Sequence, residues 1–163
     1  MSERLAPRIR LPLLDRLLDA DPDAPRTPPP SHSDAVEALR AAVRRDLEAL
    51  LNARRRRLPP PDYCEELAVS PIGYGVPDPT SGSFTDDYRR RALASEVETA
   101  IQRFEPRLMN VRVMLTDLDP DLFDRTLRVR IEALLCTDPV PEAITFETLV
   151  RPTTLDVAVR QAS

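Results

Sequence analysis

Residues 93–115, LASEVETAIQRFEPRLMNVRVML, contain the point at which the chain changes from a helical pattern to a strand pattern. Up to Phe104, apolar residues recur at three- and four-residue steps, which predicts an amphipathic helix over residues 86–104 that Pro106 ends. From Val111 onward, apolar and polar residues alternate, as in a half-buried strand. The inward positions of the helix are predicted to be Leu93, Val97, Ala100, Ile101 and Phe104.

The alternating pattern continues after this first strand. Inward residues are expected at Val111, Val113 and Leu115, at Leu127, Val129, Ile131 and Ala133, at Ile144, Phe146, Thr148 and Val150, and at Leu155, Val157 and Val159. Arg151-Pro152 is typical of the turn before the last strand. Because helices precede strands, the predicted fold class is α+β, with two amphipathic helices packed on a four-stranded, mainly antiparallel sheet.

The other amphipathic helix is predicted upstream, from Asp34 to about Arg55. Ser33 or Asp34 is its expected N-cap, and the arginine run at 54–57 is expected to complement the negative end of the helix dipole. Between the two helices, residues 62–85 hold all three glycines and predict a compact loop with one helical turn. Its expected anchors are Tyr63, Leu67, Ile72, Tyr74 and Val76.

The first 33 residues are predicted to form a separate docking arm. Leu13, Leu14, Leu17 and Leu18 lie at helical spacing, on a segment too short to be stable alone in water. The linker that follows, DPDAPRTPPPSHS at 21–33, is too rich in proline for a helix or a central strand. The expected organisation is therefore an arm and linker over residues 1–33 and one α+β domain over residues 34–163.

Composition excludes several classes of function. The net charge is −4 and all 23 basic residues are arginine, so a sequence-independent grip on nucleic acid is not expected. Cys64 and Cys136 have no second Cys or His near them, which predicts buried free thiols, with no metal site and no disulfide. We expect no cofactor. The charged N-terminal segment lacks a signal-peptide core and no stretch is long and apolar enough to span a membrane, so a cytoplasmic protein is predicted.

Catalytic patterns are weak. The single histidine, His32, lies in the proline-rich linker, far along the chain from both cysteines. The glycines do not match a phosphate-binding loop. A glycosidase-type pair built on Glu105 and an aspartate stays open, although 27 acidic residues make a chance pairing the simpler interpretation. The acidic tract at 117–124 lacks the glycine and final glutamate of a calcium loop and is interpreted as a solvated connection.

Glu105-Pro106-Arg107 is the most distinctive tripeptide. Proline fixes its own φ and pushes the preceding residue into an extended conformation, so Glu105 and Arg107 are expected to project from one side of a rigid strut between helix and sheet.

Taken in order, several motifs resemble the TssE family of type VI secretion baseplate proteins, which is related to the lysozyme-like wedge subunit of contractile phage tails. They are LLDRL at 13–17, RDLEALLNARR at 45–55, Tyr74-Gly75-Val76-Pro77-Asp78 preceded by Leu67 and Ser70, and Glu105-Pro106-Arg107-Leu108. Ala53 departs from the threonine common in the family. The leading LLDRL segment favours a secretion-system member over a phage protein.

The resemblance implies a non-enzymatic structural subunit, present as one copy per wedge of a sixfold baseplate docked at the inner membrane. Implied partners are the wedge subunits TssF, TssG and TssK, and the sheath subunits TssB and TssC, with no nucleic acid and no membrane insertion. The expected partner-binding residues are Leu13, Leu14, Arg16 and Leu17 in the arm, Glu105, Pro106 and Arg107 in the strut, and Leu155, Val157 and Val159 on an edge strand. A peptidoglycan hydrolase, or a nucleic-acid-binding module built on the arginine run, is the alternative.

Overall fold

The computed structural model describes residues 13–17, 31–56, 58, 61, 63–77, 87–116, 127–138, 140–150 and 157–161. In these ranges the helices are α1 (Leu13–Leu17), α2 (His32–Asn52), α3 (Glu65–Ala68) and α4 (Asp87–Phe104), and the strands are β1 (Leu108–Thr116), β2 (Leu127–Leu135), β3 (Glu142–Val150) and β4 (Val157–Gln161). The switch from helix to strand therefore falls between Phe104 and Leu108, and the predicted α+β class is confirmed.

The strands form one antiparallel sheet in the order β1-β2-β3-β4, so each strand pairs with its neighbour in sequence. The register between β2 and β3 is continuous, from Leu127 opposite Val150 to Leu135 opposite Glu142. A bulge interrupts the β1–β2 pairing between Met109 and Arg112, where Asn110 has a φ of 52°. Asparagine tolerates this left-handed conformation better than most residues. The bulge bends β1 directly after the strand begins.

One face of the sheet carries the two long helices, with α4 against β1 and α2 against β4. The core lies between these layers and includes Leu47, Ile101, Ile131, Leu135 and Phe146, each with less than 2% of its surface exposed. Full burial of a side chain of this size stabilises the fold by about 1.5–3 kcal/mol. The alternation predicted for the strands is confirmed at Val111, Val113, Val129, Ile131, Ala133, Ile144, Phe146, Thr148, Val157 and Val159.

Helix α2 begins before the predicted position. Its N-cap is Ser31, whose hydroxyl accepts a hydrogen bond from the Asp34 N–H at 3.2 Å, so the expected cap at Ser33 or Asp34 is wrong. Ser31 is the first residue after the proline run and hence the first with a hydroxyl that can cap the helix. As a result His32 is the first residue of α2, where it is exposed, and does not belong to the linker.

The loop between the long helices contains the expected helical turn as α3, but two of its predicted anchors are wrong. Tyr63 is 88% exposed and Ile72 is 47% exposed, whereas Val76 is buried and Tyr74 packs against the core. The main chain holds the end of the loop, because Val76 exchanges backbone hydrogen bonds with Ala53 and Arg55 at 3.0 and 2.9 Å. Apolar residues in a loop of this kind need not all face the core.

The two cysteines are free, but the expectation that both are buried is wrong. Cys64 is partly exposed and Cys136 is exposed. Cys136 follows the end of β2, where its N–H donates to Arg107 O at 2.8 Å while its side chain stays outside the core. None of the helices in the described ranges is long and apolar enough to cross a membrane.

Candidate functional site

The Glu105-Pro106-Arg107 segment is held by main-chain hydrogen bonds on both sides. The Glu105 N–H donates to Ile101 O at 2.8 Å and so completes the last turn of α4, and the Leu108 N–H donates to Glu105 O at 3.1 Å. The Arg107 carbonyl accepts from the Cys136 N–H beyond β2. These bonds confirm that the segment is a fixed connection between helix and sheet.

Glu105 does not project to the surface as the sequence predicted. It is 3% exposed, and both of its carboxylate oxygens accept hydrogen bonds from the Arg107 guanidinium, with Nε to Oε1 at 2.5 Å and Nη2 to Oε2. The Arg107 N–H also donates to Oε1 at 3.2 Å. Glu105 is buried because the turn directs its carboxylate inward, and Arg107 bonds it because a buried charge requires a partner. Whether these residues bind another subunit stays a prediction.

Arg107 also joins this pair to helix α2, because its Nη2 donates to Asp46 Oδ2 at 2.6 Å. Hydrogen bonds from the guanidinium to Glu105 and then to Asp46 raise the pKa of Arg107, and burial opposes that rise. About 24% of the Arg107 side chain remains exposed, and its Nη1 makes no hydrogen bond to a described residue. The two N–H donors of Nη1 on an otherwise fixed guanidinium thus have no partner among the described residues.

The arm helix α1 is attached to the same region. Arg45, the neighbour of Asp46 in α2, donates from Nη1 and Nη2 to Asp15 Oδ1 and Oδ2 at 2.5 and 3.2 Å. The hydrogen bond from Arg45 lowers the pKa of Asp15, although burial acts in the opposite direction. Arg45 also pairs with Asp46, with Nε 3.1 Å from Oδ1. Asp15, Arg45, Asp46, Glu105 and Arg107 therefore form one continuous set of ion pairs, here called the charged cluster.

The leucines of α1 point away from the domain that Asp15 contacts. Leu13, Leu14 and Leu17 are 68%, 55% and 71% exposed, which is unusual for three leucines on one short helix. The side chain of Arg16 lies outside the described residues. The arm is therefore anchored to the domain by a charge and presents its apolar residues to solvent.

Tyr74 brings a further motif to the same place. Its ring meets Phe104 edge-on, with centroids 5.2 Å apart. Burial raises the pKa of its hydroxyl, and the negative charges of Asp46 and Glu105 raise it further. Gly75 follows with a φ of 104°, and a Cβ there would lie 2.6 Å from the Ala53 carbonyl oxygen. Segments 13–17, 45–55, 74–76 and 105–108 thus meet in three dimensions around the charged cluster.

The edge strand β4 is attached to helix α2 by Asn52. Its Nδ2 donates to Val157 O at 3.0 Å, and the Val157 N–H donates to Oδ1 at 2.9 Å. Val157 and Val159 both face the core, 5% and 2% exposed. Leu155, the other residue predicted for this edge, lies outside the described residues.

The side chains of the charged cluster bond one another. Both oxygens of Glu105 are engaged by Arg107, so this carboxylate is not presented to a substrate. In the described part of the chain, no group of three or more His, Cys, Asp or Glu side chains could hold a metal ion. The sequence patterns missed Asp15, Arg45, Asp46 and Asn52, whose partners are remote along the chain. The available signal was that all four lie within the LLDRL and RDLEALLNARR motifs.

The family model of baseplate wedge protein gp25 matches residues 37–140, which include most of α2, all of α4, and β1 and β2. The match places the chain among the structural proteins of a baseplate. The chain belongs to the baseplate wedge protein gp25 family, and the resemblance to the TssE and phage baseplate wedge proteins is confirmed. No curated protein and no solved structure matches it. The matched range contains most of the charged cluster but neither α1 nor the strands β3 and β4.

Proposed function

We propose that this chain is the TssE-type wedge subunit of a type VI secretion baseplate. It docks onto the wedge subunits TssF, TssG and TssK and initiates assembly of the TssB–TssC sheath by strand pairing. One copy serves each wedge of a sixfold assembly, in the cytoplasm at the inner membrane. It does so without catalysis.

The observation that carries this proposal is the meeting of four sequence motifs at the charged cluster. Asp15 of α1, Arg45 and Asp46 of α2, and Arg107 of the strut are linked in this order by ion pairs at 2.5, 3.1 and 2.6 Å, and Tyr74 lies beside them. Motifs far apart in the chain meet where a single partner surface could contact them together. A fixed arrangement lowers the ordering cost of binding.

The arm contributes apolar contact area. Three leucines that are more than half exposed gain burial when a partner covers them, and each stabilises the complex by about 1.5–3 kcal/mol if fully covered. The Asp15–Arg45 pair keeps these leucines near the strut before binding. We propose that the arm and its linker, predicted over residues 1–33, dock as a unit and that the remainder forms the wedge domain. The boundary between them lies at Ser31, because α2 begins at His32.

Arg107 supplies the polar part of the docking surface. Its Nη1, which has no hydrogen bond to a described residue, offers donors to a carboxylate or a backbone carbonyl of the partner, while Glu105 and Asp46 keep the guanidinium in one orientation. Glu105 itself acts through Arg107, because its own oxygens are buried. Pro106 is exposed at the turn and adds apolar contact next to the arginine.

Sheath assembly is assigned to the edge of β4. This strand has five residues, pairs with β3, and ends the strand order of the sheet, so its outer side has no strand partner among the described residues. An edge strand offers main-chain donors and acceptors to an incoming extended segment. Val157 and Val159 secure β4 by packing into the core.

The docking proposal is tested by co-expressing the chain with TssF and TssG and measuring the affinity of the purified complex. Leu17→Ser should weaken binding by at least about 10-fold, because burial of a leucine is worth more than the 1.4 kcal/mol that this factor represents. Leu58→Ser is the matched control, since Leu58 is 70% exposed against 71% for Leu17. Equal affinities of the two variants would remove the arm from the docking surface.

Arg107 needs a variant that separates binding from folding. Charge reversal at Arg107 would place a second negative charge beside the buried Glu105, so it would unfold the protein as well as disturb an interface. Arg107→Lys keeps the charge but loses the planar fork that bonds two groups at once. If Arg107 is an anchor, this variant should bind TssF and TssG several-fold more weakly at matched stability. Unchanged affinity would assign Arg107 to folding alone.

A further inference from the structure

The outer side of β4 is occupied at one residue by a side chain from helix α2. Asn52 bonds both main-chain groups of Val157, accepting from its N–H at 2.9 Å and donating to its carbonyl at 3.0 Å. A carboxamide has one acceptor and one donor side by side, as a neighbouring strand does. Asn52 therefore takes the place that an incoming strand would occupy beside Val157.

These two bonds also determine the direction in which each residue of β4 faces. In an antiparallel pair, the N–H and C=O groups of successive residues alternate between the two sides of a strand. Since Val157 faces Asn52, Ala158 and Arg160 face β3, where they lie opposite Leu149 and Glu147. Val159 and Gln161 consequently direct their groups outward.

Access to these outward groups is unequal along the strand. Val157 and Val159 are 5% and 2% exposed, whereas Gln161 is exposed. A partner segment thus meets an open main chain at Gln161 and a closed one at Val159 and Val157. Proline at Ala158 would break the internal pairing with β3, so Gln161→Pro is the variant that removes an outward donor.

The opposite edge of the sheet has a weaker version of the same feature. On β1, the Val113 N–H donates to Glu98 Oε2 of α4 at 3.2 Å. Glu98 has no donor for the Val113 carbonyl when it is ionised, so it satisfies one group where Asn52 satisfies two. An exposed strand edge can pair with a strand of another molecule, and a side chain that bonds the main chain of the edge prevents this pairing.

We infer that Asn52 is the residue that stops strand addition at β4. An extended segment of a sheath subunit pairs at Gln161, the open end of the strand, and cannot extend to Val157 because Asn52 holds both main-chain groups of that residue. The length and register of the added strand are thereby limited from within the wedge subunit. This inference rests on the proposed role of β4 as the acceptor strand.

The first part of the test uses the isolated full-length chain. Asn52→Ala should accelerate hydrogen exchange of the Val157 amide by about 2- to 13-fold, the factor expected for loss of one hydrogen bond. The amide of Ala158, which faces β3, should keep its protection. Gln102→Ala is the control, because Gln102 is an exposed carboxamide on α4 that donates to Glu98 and not to β4. Unchanged exchange at Val157 would overturn the inference.

The second part compares the complexes of the parent chain and of Asn52→Ala with the TssB–TssC sheath subunits. We expect binding to protect the Gln161 amide in both, and to protect the Val157 amide of the variant, where the added strand now extends further. If Gln161 is protected but Val157 of the variant still exchanges rapidly, Asn52 is not the stop although β4 remains the acceptor. If no amide of β4 gains protection in either complex, the acceptor role fails and the inference fails with it.

Discussion

Removal of the arginine that neutralises Glu105 should destabilise the fold far more than removal of a comparable surface arginine. In Arg107→Met, the Glu105 carboxylate remains 3% exposed with its guanidinium partner gone. Breaking a buried ion pair from one side costs about 3–5 kcal/mol. Because 24% of the Arg107 side chain is exposed, water can partly replace it, and we expect a value near the lower limit, about 3 kcal/mol.

The assay is urea unfolding followed by circular dichroism, with a thermal melt as a second measure. A loss of about 3 kcal/mol lowers the melting temperature by roughly 6–12 °C for a chain of this size. Arg40→Met is the matched control. Arg40 is 26% exposed and also bonds two carboxylates, but those of Glu37 and Glu142 are 67% and 38% exposed. Such exposed pairs contribute about 0–1 kcal/mol.

A rescue separates the buried charge from lost packing. Adding Glu105→Gln to Arg107→Met removes the unneutralised carboxylate at nearly constant volume, so the double variant should recover part of the lost stability. The reasoning is refuted if Arg107→Met loses no more free energy of unfolding than Arg40→Met. It is also refuted if the double variant is less stable than Arg107→Met.

Three further predictions concern the arm, the loop and the cap. Arg45 lowers the pKa of Asp15 below its ordinary value of 3.8, so α1 should stay docked above pH 3.8 and be released as the pH falls through the lower pKa of the docked carboxylate. NMR should show this transition in the parent chain and not in Asp15→Asn. Gly75→Ala should cost at least about 1 kcal/mol in urea unfolding, because φ is 104° and the Cβ would contact the Ala53 carbonyl; a neutral result would contradict this conformation. Ser31→Ala should cost about 1 kcal/mol and Ser33→Ala much less, and the reverse order would restore Ser33 as the cap.

Local patterns were sufficient for the elements of the fold. Helical spacing up to Phe104 and alternation from Val111 predicted α4 and β1. Most of the core positions they implied are buried, and Leu93, Phe104 and Leu115 are partly buried against the core. Periods of 3.6 and 2 residues each place the apolar side chains on one face of an element, and that face is buried whichever element packs against it. The same argument predicted the later strands, but it could not predict Asn110, because a bulge adds one residue without changing the composition of the strand.

Local patterns were not sufficient to predict the hydrogen-bond partners of polar side chains. Pro106 correctly indicated a rigid turn, yet nothing in the tripeptide indicated that the carboxylate of Glu105 would face inward. Arg107 satisfies it only because the turn brings both beside Asp46 of α2. In the same way, the asparagine of the 45–55 motif gave no sign that it would bond the main chain of Val157, more than a hundred residues away.

The sequence by itself determined the element types, their order, the apolar face of each, and the family. Each of these follows from the spacing of residues that are close in the chain, and this spacing is the same in any tertiary arrangement. Only the tertiary structure decided that Glu105 is buried, that Asp15 joins α1 to α2, and that Asn52 closes the edge of β4. Those contacts join residues remote in the chain, and a buried polar group is satisfied by whichever donor or acceptor the packing of the apolar faces brings within about 3 Å.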